Sequence, residues 1–167
     1  MISELIRKTF NASKITELTL PDEQFQIENA LKQFSDEAKI QCILTTGGTG
    51  FAPRDVTPEA TRNVITKECP QLAHMMLLEG LKKTPFAALS RAVCGVRNST
   101  LIVNFPGSKK AVVECFDAIK DLIPHAVELI CDEKTKSEKK HEEIKAGKME
   151  NQACDEDQSE VIEKDPV

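Results

Sequence analysis

Two short apolar runs divide the chain. Ile40-Gln41-Cys42-Ile43-Leu44-Thr45-Thr46 and Leu101-Ile102-Val103-Asn104-Phe105 each end at glycine or proline, as strands buried on both faces of a parallel sheet do. Between and around them the spacing turns helical. Ile2, Leu5, Ile6 and Phe10 share one helical face. A helix is expected over 22–38, with Asp22 as its N-cap and Phe25, Ile27, Ala30, Leu31 and Phe34 turned inward. Thr57-Pro58-Glu59 opens another: Thr57 caps, Pro58 fits the first helical position, and Glu59 complements the dipole. That helix is expected to end near Cys69-Pro70. A Met- and Leu-rich helix follows over 71–82, then helices over 108–122 and 124–130. Lys14 to Leu20 alternates apolar and polar, which predicts a half-buried strand. Thr84 to Thr100 gives no clear period. Strands alternating with helices imply an α/β fold with a mostly parallel sheet.

Past Cys131 the pattern dissolves into Lys and Glu. Such a segment buries too little apolar surface to offset its ordering entropy. Residues 132–167 are therefore expected to be a disordered tail, with local helix around Ser137–Lys148, and residues 1–131 an α/β domain.

Composition narrows the function. The net charge of -5 argues against a protein that lives on nucleic-acid phosphates. Aromatics are 4%, without Trp or Tyr, too few for a base-stacking platform. The 6 cysteines form no C-x-x-C pair, and neither they nor His74, His125 and His141 show metal-ligand spacing. Buried reduced thiols are the reading, and with no apolar run of spanning length a cytoplasmic protein without membrane insertion is expected.

The chemistry gathers at two turns. Gly47-Gly48-Thr49-Gly50 follows the first buried strand, and Pro106-Gly107-Ser108 follows the second. Both lie at carboxyl ends of strands, where open α/β sheets bind ligands. Neither is a Walker loop. Small residues let backbone N–H groups approach an anion, and the second turn opens a helix whose dipole favours phosphate beside Lys109 and Lys110. Asp22 and Asp55 each follow a predicted strand. They suit Mg²⁺, which takes a few carboxylates plus phosphate oxygens; a cap at Asp22 and a simple turn at Asp55 are the plainer alternatives. Arg54 would offset phosphate charge or be a surface arginine.

The run Thr45-Thr46-Gly47-Gly48-Thr49-Gly50-Phe51-Ala52-Pro53-Arg54-Asp55-Val56-Thr57-Pro58-Glu59-Ala60-Thr61 resembles the signature of the molybdopterin adenylyltransferases, the family of bacterial MogA and MoaB and of the gephyrin N-terminal domain. Leu20-Pro21-Asp22-Glu23, Ser90-Arg91-Ala92-Val93-Cys94-Gly95 and Asn104-Phe105-Pro106-Gly107-Ser108-Lys109-Lys110 resemble its other segments, and the match runs over about 2–131. The resemblance implies a three-layer α/β/α fold and a homotrimer. It implies transfer of AMP from Mg-ATP to molybdopterin with release of pyrophosphate. It makes Asp22 and Asp55 the catalytic and metal-binding acids. Gly47, Gly48, Thr49 and Gly50 would cradle phosphate, while Asn104, Pro106, Gly107 and Ser108 line the nucleotide side; Arg54, Ser90 and Arg91 complete the pocket. Family members begin with a further strand and an Asp-Arg-Ser-Gly loop, and this chain starts after both. A gap in the sheet, or altered pairing of 14–20, is expected, and a non-catalytic binding or oligomerisation module is the alternative function.

Overall fold

β4 (Thr100–Phe105) is the axis of the structure, a computed structural model that describes residues 2–10 and 12–131. All of its residues are buried, and their alternation sorts them between two cores. Leu101, Val103 and Phe105 face one side; Ile102 faces the other. On its flanks lie β1 (Cys42–Thr46), paired in parallel from Cys42↔Leu101 to Thr46↔Phe105, and β3 (Cys94–Arg97), paired antiparallel. The two-residue β2 (Lys67–Glu68) closes the order β1-β4-β3-β2. The sheet is thus mixed, with one parallel and two antiparallel pairs, where a mostly parallel sheet was expected. The reason is a tight hairpin that the sequence pattern hid: Arg97 pairs with Thr100 across Asn98, whose φ of 53° is the left-handed turn geometry that Asn tolerates.

Helices cover both faces, giving three layers. On one side α4 (Pro70–Leu81), α5 (Lys109–Ile119) and the helix over 122–131, here α6, bury Met76, Val112, Phe116, Ile119 and Ile123 against the sheet, with α1 (Ile2–Thr9) packed through Ile2 and Leu5. Phe105 and Phe116 stack at 6.4 Å between ring centroids. Full burial of each ring stabilises by on the order of 1.5–3 kcal/mol. On the other side α2 (Gln24–Lys32), which runs on into a π-helical turn (Gln33–Glu37), and α3 (Thr57–Val64) bury Ile27, Leu31, Ala60 and Val64. Among the described residues no helix is long and apolar enough to cross a membrane.

Several local expectations are corrected. Residues 14–20 form no strand and join no sheet among the described residues, since an alternating segment becomes a strand only beside a free edge in register. Phe25 is 73% exposed, so the α2 stripe is narrower than its apolar content suggests. Neither Asp22 nor Thr57 caps a helix; Glu23 and Val56 hold those positions without side-chain caps. α3 stops at Val64 because Ile65 turns extended and Thr66 donates its N–H to Val96 at 2.7 Å. The Met- and Leu-rich helix, from which an exposed patch of Met75, Met76 and Leu78 is expected in a trimer, turns Met76 into the core and leaves Met75 and Leu78 outside. The expected disorder of 132–167, with its local helix, lies outside the described residues.

Candidate active site

Parallel pairing of β1 with β4 sets their carboxyl ends side by side, so the loops that leave them meet. Gly47 donates its N–H to the Phe105 carbonyl at 3.3 Å, and Thr46 Oγ1 donates to the Pro106 carbonyl at 2.9 Å. A Cβ added to Gly107 would lie 3.4 Å from Gly47 Cα. The first loop turns sharply through Gly47 and Gly48, with φ of 93° and 62°, a pair of left-handed residues that glycine adopts without steric cost.

The loop then folds over the start of α3. Thr57 donates its N–H to the Gly48 carbonyl at 3.1 Å. Asp55 closes a turn: its N–H reaches the Ala52 carbonyl at 2.8 Å, and Ala52 donates its own N–H to Asp55 Oδ2 at 3.0 Å. The N–H groups of Gly48, Thr49, Gly50 and Phe51 meet no acceptor among the described residues. Consecutive N–H groups without a protein acceptor are the donors from which anion-binding nests are built.

Both acids flank this nest. Asp22 Oδ1 lies 3.5 Å from where a Gly48 Cβ would stand, and Asp55 Oδ2 lies 2.8 Å from the corresponding Gly50 position. Arg54 Nε comes within 3.8 Å of Asp22 Oδ2 and its side chain is 82% exposed, free to turn toward an anion. Across the loop junction, Ser108 caps α5 by accepting from the Ala111 N–H at 3.5 Å, leaving Lys109 and Lys110 exposed at the helix start. A cleft of about 470 Å³ runs from Ser90, Pro106 and Ser108 between α4 and α5, walled by apolar residues such as Ala92 and Val93.

Two residues sit differently from the resemblance. Asn104 has no exposed surface: its Nδ2 donates to the Thr45 and Thr61 hydroxyls at 2.9 Å each, and its Oδ1 accepts from the Val93 N–H at 3.2 Å. It braces the pocket from behind instead of lining it. Arg91 lies beside the first loop with its guanidinium turned onto that loop and onto Glu59. Ser90 Oγ approaches Thr49 Oγ1 at 3.5 Å.

Three contributors escaped the sequence reading: Thr57, Thr61 and the Glu59 carboxylate. The spacing of Thr57 and Thr61 was a usable signal, since i and i+4 on a helix share a face; both are buried, Thr57 against Gly48 and Thr61 against Asn104. Burial pushes the Glu59 carboxyl up, but the hydrogen bond from Arg91, its own backbone N–H and the charges of Arg91 and Arg62 outweigh it and hold the group below the ordinary range. Burial raises the Cys94 thiol to about 12 and the Cys115 thiol to about 11, so neither supplies a thiolate nucleophile near neutral pH.

Residues 1–125 match the family described as "Probable molybdopterin binding domain". The chain belongs to this molybdopterin-binding family. Among curated members it is 47% identical over 154 residues to the molybdenum cofactor synthesis protein cinnamon of Drosophila melanogaster, covering 92% of this chain and 26% of that protein. It is 45% identical over 109 residues to a molybdopterin adenylyltransferase of Helicobacter pylori, covering 65% of this chain and 62% of that one. The chain thus spans less than two thirds of the length of either relative. Among solved structures of the family, the Mog protein from Mycobacterium ulcerans superposes with a TM-score of 0.72 at 39% identity, covering 77% of this chain and 83% of that one. MoaB from Thermus thermophilus gives a TM-score of 0.66 at 46% identity, covering 77% and 80%.

Proposed function

We propose that the chain is a molybdopterin adenylyltransferase of molybdenum-cofactor biosynthesis, moving AMP from ATP to the terminal phosphate of molybdopterin. The observation that carries this reading is the nest of four free N–H groups at 48–51, flanked by Asp22 and Asp55 and abutting the Gly107 loop. The name borne by the Helicobacter pylori relative supports it.

An oxygen of the molybdopterin phosphate attacks the α-phosphorus of ATP in line. The new P–O bond forms as the bond from the α-phosphorus to the bridging oxygen breaks, and pyrophosphate leaves with that electron pair. The protein has little covalent work to do; it holds two anions together and offsets developing charge. The 48–51 amides bind one phosphate group, and the amino terminus of α5 with Lys109 and Lys110 favours the other. Exposed Arg54 adds a mobile cation.

Asp22 and Asp55 fit Mg²⁺ brought in on the nucleotide. Among the described residues no three His, Cys, Asp or Glu side chains converge into a cage, and a few carboxylates completed by phosphate oxygens are what this ion accepts. When bound, it neutralises phosphate charge.

Exposed Met75, Leu78, Leu81, Phe86 and Leu89 on α4 and the turn after it support a homotrimeric assembly. The free thiols Cys42, Cys69, Cys94 and Cys115 support a reducing compartment, the cytoplasm. The test is incubation of purified chain with molybdopterin and Mg-ATP. Adenylylated molybdopterin and pyrophosphate in equal amounts are expected. Binding of both substrates without product would instead make the chain a non-catalytic binding module.

A further inference from the structure

We propose that Arg91 and Glu59 form a buckle that fixes the shape of the first loop and the aim of Asp55, so that both are positioning residues and neither is a phosphate ligand; this rests on the adenylyl-transfer reading. Every nitrogen of the guanidinium is committed to the protein. Nε donates to the Gly50 carbonyl at 2.8 Å, one terminal amino group to the Asp55 carbonyl at 2.5 Å, and the other to Glu59 Oε1. The Arg91 backbone N–H adds a bond to the Thr49 carbonyl at 2.8 Å. One residue thereby holds the loop at Thr49–Gly50 and again at Asp55, on either side of the Ala52 turn.

The choice of arginine follows from its geometry. Its planar fork offers donors in fixed directions, so three acceptors bound to it are fixed relative to one another. The carbonyls of Gly50 and Asp55 are drawn to the guanidinium, and the N–H groups of Gly48, Thr49, Gly50 and Phe51 are left without an acceptor among the described residues. An arginine meant for phosphate is exposed and lightly engaged; Arg54, 82% exposed, fills that description, whereas each nitrogen of Arg91 already holds a protein acceptor.

Glu59 ties the fork to the scaffold. It stands in the first turn of α3, whose neighbours Pro58, Ala60 and Thr61 are buried, so its carboxylate is held by the helix. Its second oxygen, Oε2, is buried and takes no partner among the described residues. Apart from its own backbone N–H, the carboxylate is engaged by Arg91, and that contact accounts for its placement. In sequence Glu59 reads as a dipole partner and Arg91 as a pocket cation; together they read as one device.

The test compares Arg91→Lys, Arg91→Ala and Glu59→Gln with wild type in the full chain. Two readouts are taken: amide hydrogen exchange without ligand, and steady-state kinetics. Arg91→Lys keeps the charge but cannot span three acceptors. It is expected to raise exchange at 48–55 by about tenfold or more while β4 amides keep their protection, a sign that the fold stands. The expected kinetic effect is a fall in kcat of about a hundredfold with KM for Mg-ATP changed far less, as misplacement of a catalytic constellation produces. Glu59→Gln keeps an acceptor for Arg91 and is expected to be milder in both readouts.

The opposite pattern overturns the buckle: Arg91→Lys with near wild-type kcat, raised KM and unchanged exchange at 48–55, which is the signature of a phosphate ligand. Loss of protection across β4 in both Arg91 variants leaves Glu59→Gln to decide, and wild-type exchange and kcat in that variant also overturn it. An inactive wild-type chain overturns the adenylyl-transfer reading instead, and the exchange data, taken without substrate, then decide the buckle alone.

Discussion

The hydroxyl of Thr57 stands where a side chain on Gly48 would begin: a Cβ placed there would lie 2.4 Å from Thr57 Oγ1. Gly48 is therefore required twice, by this contact and by its φ of 62°. A Cβ on Gly47, whose φ is 93°, would meet nothing within 4 Å, so glycine is required there by the backbone alone. Gly47→Ala is expected to cost about 1–2 kcal/mol, the left-handed penalty for a residue with a Cβ. Gly48→Ala should cost more and displace Thr57 from the start of α3. Urea unfolding of the two variants measures the difference; equal losses would show that backbone strain alone governs the turn.

Asn104 should behave as a structural residue. Its amide joins β1 through Thr45, α3 through Thr61 and the approach to β3 through the Val93 N–H. Asn104→Ala leaves that buried N–H without a partner, which costs about 1–3 kcal/mol before the lost packing is added. The expected result is a lowered unfolding midpoint, with Mg-ATP affinity in the remaining folded fraction close to wild type. A variant of undiminished stability that has lost Mg-ATP binding would return Asn104 to the pocket lining.

The two acids can be neutralised without dismantling the loop. Asp55→Asn keeps an oxygen for the Ala52 N–H while removing the charge, and Asp22 makes no cap whose loss would matter. Either substitution is expected to lower kcat about a hundredfold or more. Unfolding free energies should stay within about 0.5 kcal/mol of wild type. Rate assays over a Mg²⁺ titration check both; wild-type rates in either variant remove that acid from the catalytic assignment.

Acid should loosen the junction between the π-helical turn and the β3–β4 hairpin. Asp36 accepts two hydrogen bonds from Arg97, at 2.9 and 2.6 Å, and one from Asn98 at 2.6 Å. The Arg97 bonds are the main cause that holds its carboxyl below the ordinary range, against a smaller opposing effect of burial. A depressed folded value favours the charged form in the native state. The stabilisation is thus present above the unfolded carboxylate value of about 3.9 and is lost as pH falls through the folded one. Wild type should exceed Asp36→Asn in melting temperature at neutral pH, and the gap should close as pH falls through the depressed folded value. A gap independent of pH would mean that the pair contributes through shape and not charge.

The parts of the fold that were legible in sequence are those decided locally. The runs ending at Thr46 and Phe105 announced β1 and β4, and the glycines after them announced the two loops. What was lost depends on partners distant in sequence. Lys14–Leu20 has the alternation of a strand, yet pairing is a property of two segments and no neighbour takes it up. β3 was hidden because Cys94-Gly95-Val96-Arg97 is too short to show a period, and the Asn98 turn joining it to β4 lacks the glycine that usually follows Asn in such hairpins. In the site, residue identity drew attention to the acids and glycines that the fold gathers around the first loop. It could not reveal that Asn104 faces inward or that Arg91 is turned onto the loop, since both orientations are set by hydrogen bonds to residues 11 to 59 positions away.

The Asn104 brace has a consequence for selectivity. With β1, β4 and α3 tied together behind the loops, the amide nest exists before any ligand arrives, and association need not be taxed by ordering it. A rigid receptor cannot reshape itself around an imperfect guest. If these amides hold phosphate as proposed, a molecule whose phosphate fails to reach the four N–H groups must strip them of water and leave them unpaired, which is penalised more heavily than a missing favourable contact. Discrimination at such a site works by refusal: the wrong phosphate spacing is turned away by donors that cannot follow it.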